Sequence, residues 1–175
     1  MRYLTFLFLF VLISCSSTKV VYDYDSQTNF TAYKTFNFFE DAGKGLNELD
    51  VKRVTNELTD KLKAKGMRLS DNPDIFINIV SQERESERRN TIGVGLGSGG
   101  GNVGFGISGG IPIGSKKINQ ELIVDFVESK SDELVWQGIA NSELKQRSTP
   151  QERVMHYRKV ITEILKGYPP KKASK

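Results

Sequence analysis

A single cysteine, Cys15, at the end of a short apolar run constrains this chain more than any other feature. Residues 4–13 are apolar apart from Thr5, Arg2 stands before them, and the small residue Ser14 separates them from the cysteine. This order of a charged, an apolar and a small-residue part is that of an export signal. The run is too short to cross a bilayer, which takes about 20 apolar residues. The alternative is a buried amino-terminal strand, which would not need Arg2 before it or a cysteine behind it.

The tetrad Leu12-Ile13-Ser14-Cys15 resembles the lipobox of bacterial lipoproteins. The resemblance implies cleavage between Ser14 and Cys15, a diacylglycerol thioether on the Cys15 sulfur, and fatty acyl chains such as palmitate on the mature protein. Two or three chains form a lasting anchor, because each buried methylene contributes about 0.8 kcal/mol. We therefore expect residues 1–14 to be a cleaved signal peptide and residues 15–19 to be a tether that carries the lipidated Cys15.

Acylation would use the only thiol of the chain, so no thiol would remain for a disulfide, a metal or a nucleophile. The domain then has to be stable in an oxidising envelope through its core alone. Residues 15–175 have the length of one domain. The net charge of +4 is small and spread along the chain, and part of it lies in a polar tail at 171–175. Because there is no basic stripe, we do not expect nucleic acid as a partner.

Strand and helix patterns predict an α+β domain. Asn47 is a candidate N-cap for a helix over 48–65. A second helix is predicted over 150–167, where Thr149 and Glu152 form a capping box. Each helix has one apolar stripe, which is typical of a helix that packs on a sheet. Strand patterns occur at 20–25, 34–39, 74–80, 118–128 and 133–144. We therefore expect a single antiparallel sheet of about five to seven strands with the two helices packed on one face.

The segment 91–114 alternates apolar residues with glycine. A period of two places the glycines on one side, so the segment is predicted to be a β-hairpin with a bare face. Gly95, Gly97 and Gly100 match the spacing G-x-G-x-x-G, but no helix pattern follows, so dinucleotide binding is not expected. Three interpretations stay open: a hairpin that covers the core, a surface that pairs with an envelope protein, and a hairpin that inserts into the membrane.

No pattern in the sequence indicates an enzyme, a metal site or a cofactor site. Asp125 interrupts an apolar strand, and we expect it to be at the surface or hydrogen bonded rather than catalytic. His156 is the only histidine and lies off the apolar stripe of its helix, so neither a metal centre nor a catalytic triad is expected. The aromatic residues Phe36, Phe38 and Trp136 are expected in the core or, alternatively, along a ligand groove.

Several short motifs together resemble one protein family. They are, in order, Val21-Tyr22-Asp23-Tyr24-Asp25, Tyr33-Lys34-Thr35-Phe36, Asn72-Pro73-Asp74-Ile75, Leu122-Ile123-Val124-Asp125, Leu134-Val135-Trp136-Gln137-Gly138 and Tyr168-Pro169-Pro170. Their order and spacing are similar to those of the DUF4136 lipoproteins of the bacterial envelope, a family without an assigned function. Phe38 and Glu128 depart from that pattern, which commonly has tryptophan and aspartate there. The resemblance implies a lipid-anchored α+β domain over residues 20–170 and supplies no catalytic residue.

The sequence thus predicts a non-enzymatic lipoprotein that is held to a membrane through Cys15 and binds a partner or has a structural role. A partner in the envelope would be contacted through the glycine-rich hairpin at 91–114. The alternative is a module that binds a lipid or another apolar ligand in a groove between sheet and helices. No acidic run follows Cys15 that would indicate surface export, so the expected location is the outer membrane, facing the periplasm.

Overall fold

The structure, a computed structural model, describes residues 18–85, 91–92, 111–112 and 117–171. Ser14, Cys15 and most of the glycine-rich segment therefore lie outside the described residues. Two α-helices, α1 (Glu48–Ala64) and α2 (Pro150–Ile164), are present in the described part. Neither of them combines the length and the apolar character that a helix needs to cross a membrane.

A six-stranded sheet forms the centre of the fold, and a separate pair of short strands accompanies it. In chain order the strands are β1 (Lys19–Tyr24), β2 (Thr35–Phe38), β3 (Arg68–Leu69), β4 (Ile75–Glu85), β5 (Thr91–Ile92), β6 (Ile111–Pro112), β7 (Lys117–Glu128) and β8 (Leu134–Lys145). The large sheet has the order β1-β8-β7-β4-β2-β3, and β5 pairs antiparallel with β6. The expected α+β class and the number of strands are confirmed.

The large sheet is mixed, so the expectation of a purely antiparallel sheet is wrong in this detail. Strand β2 runs parallel to both β3 and β4, whereas the pairs β1/β8, β8/β7 and β7/β4 are antiparallel. The physical reason is the connection: α1 lies between β2 and β4 in the chain, and a helical crossover returns the chain to the end from which it started. A helix between two neighbouring strands therefore makes them parallel.

Both helices pack on one face of the sheet, as the single apolar stripes predicted. Alternate residues of the central strands point toward them and have no exposed surface, and the helices contribute matching apolar residues. The fully buried side chains include Ile75, Ile77, Ile79, Leu122, Val124 and Phe126 of the sheet and Val54, Leu58, Leu62, Val160, Ile161 and Ile164 of the helices. Burial of each such side chain contributes about 1.5–3 kcal/mol, and truncation of Leu58 to alanine would cost about 2–5 kcal/mol.

The predicted helix ends are present in the structure. The Asn47 side chain accepts a hydrogen bond of 3.0 Å from the Asp50 backbone N–H at the start of α1. The capping box of α2 is complete: the Glu152 N–H donates to Thr149 Oγ1 at 3.2 Å, and the Thr149 N–H donates to Glu152 Oε2 at 2.8 Å. The α-helical part of α2 ends at Ile164, and the last predicted residues form a 3-10 turn instead.

One end of the molecule, which we call the tether end, contains the first residue of β1. Lys19 pairs with Asn141, beside the carboxyl end of β4 and the amino end of β7. Both α-helices also begin at this end. Helix α2 follows β8 after a short turn. The loop before α1 runs along the second half of β4, where the Ser81 N–H donates to Lys44 O at 2.8 Å. The glycine-rich segment connects β4 to β7 and is therefore rooted at the same end.

Candidate functional site

The sheet face that points away from the helices, which we call the open face, carries a row of apolar side chains. Val21, Ile139, Ile123 and Val80 are cross-strand neighbours on β1, β8, β7 and β4 in that order. With strands about 4.8 Å apart, the row is about 15 Å long. Three of its members are half-buried, and Val21 at the edge is 64% exposed. A continuous apolar row on the face that the two α-helices leave uncovered is typical of a contact surface.

A polar row runs beside the apolar one and fixes the position of Asp125. Gln137 Nε2 donates to Asp125 Oδ1 at 2.7 Å, and Asn78 Nδ2 approaches Asp125 Oδ2 at 3.4 Å. These three residues are opposite one another on β8, β7 and β4. Asp125 is thus a hydrogen-bonded aspartate on the open face, as expected. Its carboxylate is held by two side-chain amides, which fix its position on the open face.

Strand β1 is one edge of the large sheet and exposes most of its side chains and half of its backbone groups. The Asp25 N–H donates to Val135 O of β8 at 3.0 Å, so the odd-numbered residues of β1 point their backbone groups inward. Val20 and Tyr22 consequently point their N–H and C=O groups outward, where no described residue hydrogen bonds to them. The opposite edge is β3, which is only two residues long. Long free edges are sites of strand pairing, and short ones are protected.

Strand β1 is held firmly to the helix layer. The ring of Tyr22 lies against Gly167, where a Cβ atom would come within 2.4 Å of the ring, and its centroid is 6.2 Å from that of Trp136. Tyr22 Oη donates a hydrogen bond to the carbonyl of Glu163. The exposed edge strand is therefore joined by these contacts to the helix layer of the fold.

A buried polar cluster lies at the tether end between the sheet and α2. Gln120 is 1% exposed, and its Nε2 donates at 3.2 Å to Ser81 Oγ and at 3.2 Å to Tyr157 Oη. Its Oε1 is 3.1 Å from His156 Nε2, and an amide oxygen only accepts, so the histidine hydrogen has to be on Nε2. Burial, with the Arg153 charge as a smaller cause, lowers the pKa of His156 to about 4. The ring is therefore neutral at pH 7.

The sequence placed His156 off the apolar stripe of its helix and did not predict its contact with Gln120. A signal was present in the sequence. Gln120 is an even number of positions from Leu122, Val124 and Phe126, so its side chain is on the same, buried face of β7. Ser81 is likewise on the same face of β4 as the buried isoleucines. Polar residues at core positions of a strand have to find partners, because a buried polar group without a hydrogen bond costs about 1–3 kcal/mol.

Ion pairs join the two helices beside this cluster. Asp50 of α1 is 1% exposed and accepts hydrogen bonds from Arg53 at 2.6 Å, from Asn47 Nδ2 at 2.7 Å and from Arg153 of α2. A buried carboxylate with two guanidinium partners fixes the relative position of the helices. The polar groups of this cluster are hydrogen bonded to one another, and these contacts stabilise the packing of the helices on the sheet.

Aromatic residues fill the core at the other end of the sheet. Tyr168 packs edge-on against Phe126, Trp136 and Phe30, with ring centroids 4.6–6.0 Å apart. It is 3% exposed, and its hydroxyl has no hydrogen-bond partner among the described residues. Burial raises its pKa. The indole N–H of Trp136 donates to Gly167 O at 3.2 Å, so this residue is a core anchor.

The residues proposed for a ligand groove have different positions in the structure. Phe36 and Trp136 have no exposed surface and belong to the core, while Phe38 packs against it from the side. An apolar ligand would reach Phe36 or Trp136 only by displacing core neighbours.

The hairpin at 91–114 is described only at its base, where Thr91 pairs with Pro112 and Ile92 with Ile111. The lipid attachment site, Cys15, and the cleavage site after Ser14 lie outside the described residues.

The chain belongs to the DUF4136 family, a domain of unknown function, whose family model matches residues 20–170. A search of curated proteins finds no match. The fold is similar to part of a PDZ domain protein from Parabacteroides distasonis ATCC 8503, with a TM-score of 0.55 and 16% identity over 89% of this chain and 37% of that one. This chain thus spans only about a third of the length of that protein. It is also similar to PelC from Paraburkholderia phytofirmans, crystallised as a dodecamer, with a TM-score of 0.51 and 9% identity over 85% of this chain and 95% of that one.

Proposed function

We propose that this protein is a lipid-anchored lipoprotein of the bacterial envelope with a non-enzymatic role in binding a protein partner. The observation that carries the proposal is the short distance in sequence between Cys15 and β1, which begins at Lys19. Four residues reach at most about 14 Å. A lipid on Cys15 would therefore hold the exposed edge strand and the open face next to the membrane surface, in reach of other envelope proteins.

The location that we propose is the outer membrane, with the domain facing the periplasm. The residues after Cys15 are Ser16, Ser17, Thr18 and Lys19, which include no acidic run of the kind expected for export to the cell surface. The glycine-rich segment begins and ends at the tether end. An anchor on Cys15 would therefore also bring this segment close to the membrane. Its contact with an envelope partner remains part of the proposed role.

Assembly into a complex is supported by the open face and by a structural precedent. The apolar row on that face leaves several aliphatic side chains half-buried, and full burial against a partner would contribute about 1.5–3 kcal/mol for each. PelC, which has a similar fold, was crystallised as a dodecamer. A fold of this shape can therefore support contacts between protein chains.

The anchor is tested by growing cells with a clickable palmitate analogue and comparing the wild type with Cys15→Ala. We expect label on the wild type in the membrane fraction and none on the variant, which should keep residues 1–14. Recovery of the wild type as a soluble, unlabelled protein would contradict the proposal.

The partner-binding role is tested by crosslinking in cells followed by identification of the proteins that co-purify with the anchored protein. Deletion of residues 93–110 should remove at least one envelope protein from the crosslinked set, while replacement of the exposed Met155 by serine, as a control, should remove none. An identical set of crosslinked proteins after the deletion would count against a role of the glycine-rich segment.

A further inference from the structure

We propose that the free edge of β1 pairs with β1 of a second copy of this chain, antiparallel and centred on Val21, so that two sheets join into one. The two copies would be related by a twofold axis through the Val21 pair. The surface follows from the described residues alone. Only the orientation of the joined sheets at the membrane rests on the proposed anchor.

The backbone groups of the edge fit this register. In antiparallel pairs, residues that point their N–H and C=O groups at the neighbouring strand exchange two hydrogen bonds. The backbone N–H and C=O groups of Val20 and Tyr22 point outward from β1. A pair centred on Val21 places Val20 of each copy opposite Tyr22 of the other copy. Four backbone hydrogen bonds would form between groups that no described residue now satisfies. Val21 would face the partner's Val21 at a non-hydrogen-bonded position, where side chains are closest.

The side chains are complementary in the same register. Lys19 would lie opposite the partner's Asp23, and the twofold axis repeats this ion pair on the other side of the valines. Within one chain the two residues cannot meet, because a separation of four residues along a strand is about 13 Å. Opposite charges in cross-strand positions stabilise a pair by about 0.2–1 kcal/mol each. The apolar row of the open face would continue through the two Val21 side chains into the second copy.

Two neighbouring registers have the correct backbone parity. The register centred on Val20 would place the charged Lys19 opposite the partner's apolar Val21. The register centred on Tyr22 also fits less well. It would place Val21 opposite the partner's Asp23, an apolar group against a charge. It would also require the outward N–H of Tyr24 as a donor, and that N–H already donates to Asp23 Oδ1 at 2.9 Å. In the register centred on Val21 this local hydrogen bond persists, and Asp23 Oδ2 remains for the partner's Lys19. The contact thus has one preferred alignment.

The charges on β1 favour a second copy of this chain as the partner strand. A strand of an unrelated protein would need an acidic residue and a basic residue four positions apart, flanking an apolar one, to match Lys19, Val21 and Asp23. The chain itself supplies that sequence in the required antiparallel sense. The twofold axis is perpendicular to the sheet, so two anchors could enter one leaflet only with the joined sheet lying parallel to the membrane.

The proposal is tested with the full-length protein in native membranes carrying Val21→Cys, oxidised with copper phenanthroline. At a twofold axis the two Cβ atoms of a non-hydrogen-bonded pair are about 4.5–5.5 Å apart, close to the spacing of a disulfide. We expect a disulfide-linked dimer as the main product. Met155→Cys, which is similarly exposed, 68% against 64% for Val21, but lies on α2, should stay monomeric. A Val21→Cys variant that stays monomeric, or that crosslinks to proteins of other mass, would overturn the proposal.

The register is tested by charge reversal in the Val21→Cys background. Lys19→Asp and Asp23→Lys should each lower the crosslinking rate about tenfold, because each change places like charges opposite one another at two positions. The double reversal should restore the rate to within about twofold. A double variant as slow as the single variants would show that the register is wrong. Palmitate labelling of the same samples reports separately on the anchor, so the two proposals can fail independently.

Discussion

Tyr22 Oη donates a hydrogen bond of 2.7 Å to the backbone carbonyl oxygen of Glu163, which joins the edge strand β1 to the last turn of α2. The contact links residues that are 141 positions apart in the chain, and it gives a backbone carbonyl in the last turn of α2 a side-chain donor. Burial raises the pKa of Tyr22, with the charge of Glu163 as a further cause, so the phenol stays protonated and can donate over the physiological range. The exposed edge is thereby kept in a fixed position.

Replacement of Tyr22 by phenylalanine should lower the free energy of unfolding by about 1 kcal/mol, the usual contribution of one such hydrogen bond. Tyr24→Phe is the matched control, because Tyr24 is on the same strand and face and its hydroxyl has no hydrogen bond to a described residue. Urea unfolding followed by tryptophan fluorescence gives both values. Equal effects of the two substitutions would contradict the assigned role of the Tyr22 hydroxyl.

Asp50→Asn should destabilise the protein by about 3 kcal/mol, because it leaves the guanidinium groups of Arg53 and Arg153 without their shared carboxylate. The control is Asp60→Asn, the same chemical change at an exposed position of the same helix. It should change the free energy of unfolding by less than about 0.5 kcal/mol. If the two substitutions have similar effects, the buried ion pairs do not hold the helices together.

His156 should make the stability fall as the pH is lowered from about 6.5 toward 4. The unfolded chain takes up a proton at the ordinary pKa of 6.5, while the folded ring resists protonation until its pKa of about 4. The expected loss between pH 7 and pH 5 is about 1–2 kcal/mol. Carboxylates whose pKa is lowered by hydrogen bonds, such as Asp74 and Glu152, contribute a further loss only at lower pH.

The measurement for this prediction is urea unfolding at pH 7, 6 and 5 with the wild type and with His156→Gln. Glutamine can still donate a hydrogen bond to Gln120 but does not titrate. The pH dependence between 7 and 5 should be reduced to a few tenths of a kcal/mol in the variant. An unchanged slope would mean that another group titrates in this range.

Gly138→Ala should destabilise the protein by about 1–3 kcal/mol through overpacking. An added Cβ would lie 2.6 Å from Trp136 Cη2 and 2.9 Å from Ile164 Cγ2, both of them in the core. Trp136→Phe removes the indole atoms that clash, so the alanine should cost at least about 1 kcal/mol less in that background. A double-mutant cycle without coupling would show that the core adjusts in another way.

The helices and the long hairpin of β7 and β8 could be predicted from sequence because local physics determines them. The caps at Asn47 and Thr149 satisfy N–H groups within a few residues, and the alternation of apolar residues in β7 specifies which face is buried. The mixed order of the sheet was missed, although the helix between β2 and β4 implied it. Parallel pairing is a property of the connection, and a strand pattern by itself does not contain it.

The polar cluster and the open face were harder to foresee, because both depend on which elements become neighbours. Gln120 could be recognised as a polar residue at a core position, but its partner His156 lies on a helix 36 residues further along the chain. The open face likewise could not be distinguished from the covered face in the central strands, where apolar residues such as Ile123 and Val124 alternate on both sides. Which of the two faces of the sheet is exposed depends on the packing of both helices on the same side.

The mass of the mature amino-terminal peptide tests the central claim, anchoring through Cys15, most directly. The protein is extracted from membranes with detergent, digested with trypsin and analysed by mass spectrometry. The account predicts that the first peptide begins at Cys15, ends at Lys19 and carries the added mass of a diacylglycerol and an amide-linked acyl chain. A peptide that still contains Ser14, or a Cys15 peptide with a free thiol, would contradict it.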